Sequence, residues 1–434
     1  MCRIVWVFSA CVLLIRMAPA VSAETVAQFR AHAGRVNCLH VSPDGQSLVT
    51  SGEDATTRIW TVGEIEPQHI MAGKVVTVSP DWIRLVTSSS DGLRLWDLQT
   101  GKVVTHSNDV RVHCSSLAWS PNGKTIAACP RTGTANTVVL CDAKTLEKKL
   151  TINTDTTQLF TCTFSPDGRI VAVGGGPYDP PRKDEQLTLW DAETGEALAQ
   201  VGAHLGRITS IVFSPDGKTV ATAGRYRKIE LWKVPDFFGK GKEDIKDLID
   251  KLDDDEFGVR EAATKKLQVL DRDVLPELKR ALNDELDAET RVRVEKLIAR
   301  MPPPPELELM ATLVHPGDDV TDVEFSPEGD LIANLGPRGQ VLVWDADTQI
   351  LLGRYFADTR ECGPIRFAPN GSKILVAPGG ELRTVDLISL RRTHALEHFN
   401  ELKARVEFDD DNNVVLLDFT PAGGLSDADL KLLA

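Results

Sequence analysis

A turn with the pattern Ser/Ala-Pro-Asp/Asn/Glu-Gly recurs along the chain at Ser42, Ser79, Ser120, Ser165, Ser214, Ser326 and Ala368, with Trp82 standing for the glycine in the second copy. Successive copies start 37, 41, 45, 49, 112 and 42 residues apart. A period of about forty residues means stacked copies of one supersecondary unit, each too small to bury its own apolar face. The 112-residue interval is one period plus an insertion. An alternating apolar run precedes each turn, a second follows it, and a third ends in Trp-Asp or a relative, as at Trp60, Trp96-Asp97, Cys141-Asp142, Trp190-Asp191, Trp232, Trp344-Asp345 and Val385-Asp386. Short runs rich in Val, Ile and Thr, bounded by Pro/Gly turns, are half-buried strands. With a fourth run leading to a His, each unit holds four strands. The expected fold is mainly β, a seven-bladed β-propeller with a small all-α insertion in blade five and a short α/β tail.

On these residues the chain resembles the WD-repeat β-propeller family over roughly residues 25–240 and 306–392. The resemblance implies a rigid ring that docks other macromolecules, and a His, Ser/Thr, Asp, Trp hydrogen-bonded set in each blade. Blade one matches that set with His32, Thr50, Asp54 and Trp60. Blade two keeps Thr87, Asp91 and Trp96. Blade five keeps His204, Thr222 and Trp232 with Tyr226 where the Asp falls, and blade six keeps His315 and Trp344 with Arg338 near that position. A His, a hydroxyl and a carboxylate invite a catalytic triad reading. Their recurrence at equivalent repeat positions argues for structure instead, because one active site does not repeat around a ring. The chain is expected not to be an enzyme.

The segment Thr25 to Arg35 resembles the strand before blade five, Ala197 to Arg207, and is expected to complete blade seven. The expected divisions are a signal peptide at 1–23, blades one to five at 24–239, a helical insertion with a proline spacer at 240–305, blades six and seven at 306–393, and a tail at 394–434. In the insertion, Ile245, Leu248, Ile249 and Leu252 form one apolar stripe, and Val259, Ala263, Leu267 and Leu270 a second. Around Phe257 to Ala263 it resembles a HEAT-type repeat. The acidic run Asp253 to Asp255 reads as a helix cap, since it lacks the alternating oxygen ligands and central Gly of an EF-hand loop. The tail reads as a helix from Leu396, strands near Ala404 to Phe408 and Val414 to Thr420, and a final segment Leu425 to Leu433. It resembles the cap and first unit of a leucine-rich repeat, whose open edge offers a route to self-association. Both appendages leave on the side of the Ser-Pro turns, so the opposite side is expected to stay free.

Arg3, the apolar run Ile4 to Ile15 and Val21-Ser22-Ala23 read as a secretory leader, cleaved after Ala23 or Ala20. The run is too short to span a bilayer, and no later segment is apolar enough. The mature chain is therefore expected to be exported, periplasmic or extracellular. Without the leader, 47 basic residues face 63 acidic ones, a balance that argues against generic binding to nucleic acid. No CxxC, GxGxxG, GxSxG or HExxH occurs, so no cofactor or metal is expected. Cys129 and Cys141 fall on neighbouring strands of blade three, where an oxidising compartment could join them.

On the free side, blades one, two and seven offer Glu53, Asp54, Asp91 and Glu381, whereas blades three to six offer Arg131, Arg182, Lys183, Arg225, Arg227 and Arg338. With Tyr178 and Tyr226 these cations form a candidate protein-docking arc, Tyr and Arg being enriched at interfaces. An alternative is a small-ligand or enzymatic propeller that uses the central channel. The inner strands, such as Leu39-His40-Val41 and Ile208 to Phe213, read as mostly apolar, with His40 as a strand residue.

Overall fold

The computed structural model describes residues 25–107, 114–130, 136–154, 158–176, 187–201, 207–238, 242–270, 274–282, 286–317, 319–357, 363–401, 405–408 and 414–418. It opens with β1 (Thr25–Arg30). Blade one holds β2 (Val36–Val41), β3 (Ser47–Gly52), β4 (Thr56–Thr61) and β5 (His69–Ala72). Blade two holds β6 (Val75–Val78), β7 (Arg84–Ser89), β8 (Gly92–Asp97) and β9 (Val103–Ser107). Blade three holds β10 (Cys114–Trp119), β11 (Thr125–Pro130), β12 (Thr137–Asp142) and β13 (Lys148–Asn153). Blade four holds β14 (Leu159–Phe164), β15 (Ile170–Gly175), β16 (Leu187–Asp191) and β17 (Ala197–Val201). In blade five, β18 (Ile208–Phe213), β19 (Thr219–Gly224) and β20 (Lys228–Lys233) are followed by α1 (Lys242–Asp250), α2 (Phe257–Val269), α3 (Leu275–Ala281) and α4 (Ala288–Ala299) before β21 (Glu308–Val314). Blade six holds β22 (Asp322–Phe325), β23 (Leu331–Leu335), β24 (Gln340–Asp345) and β25 (Leu351–Phe356). Blade seven holds β26 (Ile365–Phe367), β27 (Lys373–Val376) and β28 (Glu381–Asp386), and α5 (Leu387–Glu401), β29 (Arg405–Phe408) and β30 (Val414–Asp418) follow.

Each blade is a four-stranded antiparallel sheet, and β1 pairs with β28 as the fourth strand of blade seven. The two ends of the propeller thus share one sheet, which removes an edge that could template aggregation. The recurring turn has a local cause. Ser42 Oγ donates to Asp44 and accepts from the Ser47 amide at 2.8 Å, while Gly45 turns the chain at φ 69°. Ser79, Ser120, Ser165, Ser214 and Ser326 accept in the same way from the residue five further on. The blades are held by apolar clusters, one between each neighbouring pair around the ring, and the helices bury a cluster of their own. Neighbouring blades therefore act as the stacking partners that a single unit lacks.

The helical insertion is fastened to blade four. Arg280 reaches Asp191 at 3.1 Å and Glu193 at 2.5 Å, and Lys279 reaches Glu196 at 2.7 Å. The Arg169 guanidinium lies 3.7 Å from the centre of the Phe238 ring. Where the proline spacer ends, Gln200 in β17 bonds to Pro305 and Leu307, which covers part of that outer edge. The tail departs from its expected start, because α5 begins at Leu387 rather than at Leu396. Asp386 ends β28 and also accepts from the Ser389 amide at 2.8 Å, capping the helix. Leu390 then packs over Gly353 of β25, where a Cβ would sit only 1.8 Å away. β29 and β30 form an antiparallel pair. The final segment of the tail, Leu425 to Leu433, lies outside the described residues. Cys129 does not face Cys141, since Cys141 pairs with Ile126. Cys129 instead joins Cys162 in the cluster between blades three and four. Among the described residues no helix is long and apolar enough to cross a membrane.

Candidate functional site

The β3–β4 turn and its counterparts in the other blades, together with the connections between blades, share the side away from the helices. Blade one shows how the repeat uses this side. His32 Nδ1 lies 3.0 Å from Asp54, His32 Nε2 lies 2.8 Å from Thr50 Oγ1, and Trp60 Nε1 donates to the same oxygen at 2.9 Å. Burial lowers the His32 pKa despite its bond to Asp54. Burial would raise Asp54, yet hydrogen bonds from Thr56 and His32 hold its carboxyl down at about 2. Thr50 is 0 % exposed and His32 1 %. A hydroxyl sealed from solvent and already receiving an indole N–H is placed to brace loops.

The same bond recurs as Trp96 to Thr87 at 2.9 Å and Trp232 to Thr222 at 3.1 Å. In blade six Asn334 takes the acceptor role at 2.8 Å from Trp344, a substitution the sequence pattern did not single out. Blade four has Val173 at that position, and Trp190 Nε1 is buried without a partner. Where blades three and seven lack the Trp, they carry Ala128 and Val376, so donor and acceptor are lost together. That exchange is close to neutral, while losing one partner alone is costly.

Blade five departs from this plan. Tyr226 and Arg227 form the middle of its β19–β20 turn with φ 64° at both, a conformation that normally selects Asn-Gly. Tyr226 is 47 % exposed, and its amide donates to Asp319 at 3.1 Å. Arg225 pairs with the same Asp319 at 3.4 Å. In blade six Arg338 is exposed at φ 62°. Among the described residues, the Arg227 and Arg338 side chains have no ion-pair partner. His315 ties the two turns: its N bonds to Arg227 O at 2.7 Å, and its ring abuts Gly336. Arg207, not singled out from the sequence, lies 3.3 Å over Phe160, and its carbonyl accepts from Arg225 N. Three of the four acidic residues on the other blades are engaged, Asp54 with His32, Asp91 with Ser89 and Arg94, and Glu381 with Arg383, whereas Glu53 pairs with no cation among the described residues. Arg131, Tyr178, Arg182 and Lys183 lie outside the described residues.

The channel wall differs from the apolar reading. Two residues before each turn, the inner strands carry His40, Thr77, Ala118, Thr163, Val212, Glu324 and Arg366. Three of these, on neighbouring blades six, seven and one, are ionisable. Asp322 accepts from Ser210 of blade five at 2.6 Å, and from Ile365 N and Arg366 Nη1 of blade seven at 3.0 and 2.9 Å. Arg366 Nη1 also lies 3.2 Å from Glu324. Burial, opposed by Arg366, pushes Glu324 up to about 7, and burial with the Arg366 charge takes His40 down to about 4. Among the described residues no group of His, Cys, Asp or Glu is arranged to hold a metal ion.

Residues 23–61 match the family described as WD domain, G-beta repeat, and residues 87–234 match the one described as Eukaryotic translation initiation factor eIF2A. The small ribosomal subunit protein RACK1z of Oryza sativa subsp. japonica is 31 % identical over 114 residues, covering 24 % of this chain and 34 % of the relative. RACK1y of the same organism is 32 % identical over 114 residues, again covering 24 % and 34 %. The chain thus spans about a third of the length of these curated relatives.

Proposed function

We propose that this protein is a non-catalytic scaffold that docks protein partners on the side of the ring opposite the helices, in an exported compartment. The observation that carries the reading is the exposed Tyr226 with Arg227 and Arg338, which have no ion-pair partner among the described residues and are held by turns whose backbone favours other residues. Strained charged turns on a rigid frame are where function is expected to reside. Arg131, Tyr178, Arg182 and Lys183 would extend the patch around blades three and four. By name the relatives are parts of a ribosomal subunit, which fits a ring held within a macromolecular assembly. The leader-like start supports export, and the acidic balance supports a protein partner over nucleic acid. The helices, which resemble HEAT repeats, offer a second contact, and the tail, which resembles a leucine-rich repeat, a route to self-association.

The test is crosslinked affinity capture from the source compartment with the chain and with a variant carrying Arg182, Lys183, Arg225 and Arg227 as Glu. A stoichiometric protein captured by the first and lost by the second supports the reading. Equal capture by both baits, or by neither, contradicts it.

A further inference from the structure

The charged arc of the central channel does more than close the ring. Asp322 reaches both neighbours of blade six, through Ser210 of blade five and through Ile365 N and Arg366 of blade seven. Glu324 adds only a contact to Arg366 Nη1, an atom Asp322 already holds. At the same register, blades two to five manage with Thr77, Ala118, Thr163 and Val212. A second carboxylate, forced toward its neutral form by burial, is therefore unnecessary for closure. Burying such groups without need is costly, and their presence marks sites that bind or react.

Their free atoms define what fits. Among the described residues Arg366 engages protein through Nη1, to Asp322, Glu324 and the neighbouring Ile365 O, and its Nε and Nη2 have no partner there. Glu324 uses Oε2 and leaves Oε1. His40 Nε2 bonds to Val76 O at 3.1 Å, which fixes the proton there and leaves Nδ1 as an acceptor. The Glu324 and Arg366 side chains stay 25 % and 28 % exposed, and on inner strands that surface opens onto the channel. At the same register the facing arc carries the shorter side chains of Thr77, Ala118, Thr163 and Val212. A guanidinium fork binds a carboxylate in bidentate fashion. The adjacent carboxyl oxygen and imidazole nitrogen accept from an ammonium.

We propose that Glu324, Arg366 and His40 form a binding site for a compact amino-carboxylate of the free amino acid class, with its carboxylate on Arg366 and its ammonium on Glu324. Asp322 positions Arg366 from behind. The site lies on the axis, apart from the docking turns, so it stands or falls independently of them.

The test is isothermal titration of the full chain with each of the twenty protein amino acids, and with propionate and ethylamine as single-charge probes. At least one amino acid should bind with saturable one-to-one stoichiometry, and the single-charge probes at least tenfold more weakly. Glu324→Gln is isosteric, leaves the Asp322–Arg366 bond intact, and should weaken the amino acid about tenfold by removing charge opposite the ammonium. Arg366→Lys, which keeps the charge but not the fork, should weaken it as well. No saturable binding by any amino acid overturns the proposal. So does binding that propionate matches, or that Glu324→Gln leaves unchanged while circular dichroism shows the variant folded.

Discussion

Blade one and blade five follow one template and use its polar positions in opposite ways. In blade one His32, Thr50, Asp54 and Trp60 satisfy one another beneath the surface. In blade five the Trp232–Thr222 bond survives, but Tyr226 replaces the Asp and the turn presents Tyr226 and Arg227 to solvent. A repeat needs its bracing set only often enough to hold the ring. The copy that drops the carboxylate ties its turn to Asp319 and His315 of the next connection and leaves the Tyr226 and Arg227 side chains exposed.

The contrast can be broken most forcefully at Thr50. Thr50→Val strands both the Trp60 indole N–H and a His32 nitrogen in a buried site, and should cost about 2–4 kcal/mol. Thr222→Val strands the Trp232 N–H and should cost about 1–2 kcal/mol. Urea unfolding followed by tryptophan fluorescence compares the two, and equal losses would mean that blade one is no better braced. The turns should respond with the opposite sign. Arg227→Gly relieves a left-handed arginine and should stabilise the protein by about 0.5–1 kcal/mol while weakening partner binding, a trade read by unfolding and capture on one sample. A variant that loses both would place Arg227 in the fold instead.

Blade four sharpens the comparison, because it kept the donor and lost the acceptor. Val173→Thr supplies Trp190 Nε1 with the oxygen that Thr50 gives Trp60, and should add about 1 kcal/mol. The smallest expected effect is one of pH. The His32 pKa is lowered in the fold, so its contribution is full above the ordinary 6.5 and is lost as pH falls below it. Asp54, held at about 2, loses its contribution only below the ordinary carboxylate range. Amide exchange of residues 47–61, corrected for intrinsic rates, should therefore quicken between pH 7 and 5, and His32→Gln should abolish that change.

Glu324 titrates with the opposite sense. Its folded value near 7 lies above the ordinary 4.5, so its contribution is full below 4.5 and declines as pH rises through 7. Glu324→Gln should flatten stability across that window, read by unfolding at pH 5 and 8.

The ring was legible because its cause is local. A serine that caps its own turn every forty residues or so, followed by a Trp-Asp strand end, gives blade count, strand order and the place of the insertion. The channel was not legible. His40, Glu324 and Arg366 stand on strands far apart in the chain, each within a short alternating run that reads as ordinary strand. Only closure of the ring brings them together. Asp386 misled for a different reason, since a strand-ending Asp is also a good helix cap and α5 starts there. The cations near Tyr226 were visible as sequence, but the backbone strain beneath them was not, because Tyr-Arg carries none of the Gly or Asn that announces such a turn.

The proposed docking places partners on the side of the ring opposite its helices. Hydrogen exchange of the captured complex against the free chain tests it most directly. Protection gathered in residues 224–228 and 336–340, with α2 and α4 unchanged, is the predicted result. Protection on the helices with those turns unaltered would contradict it.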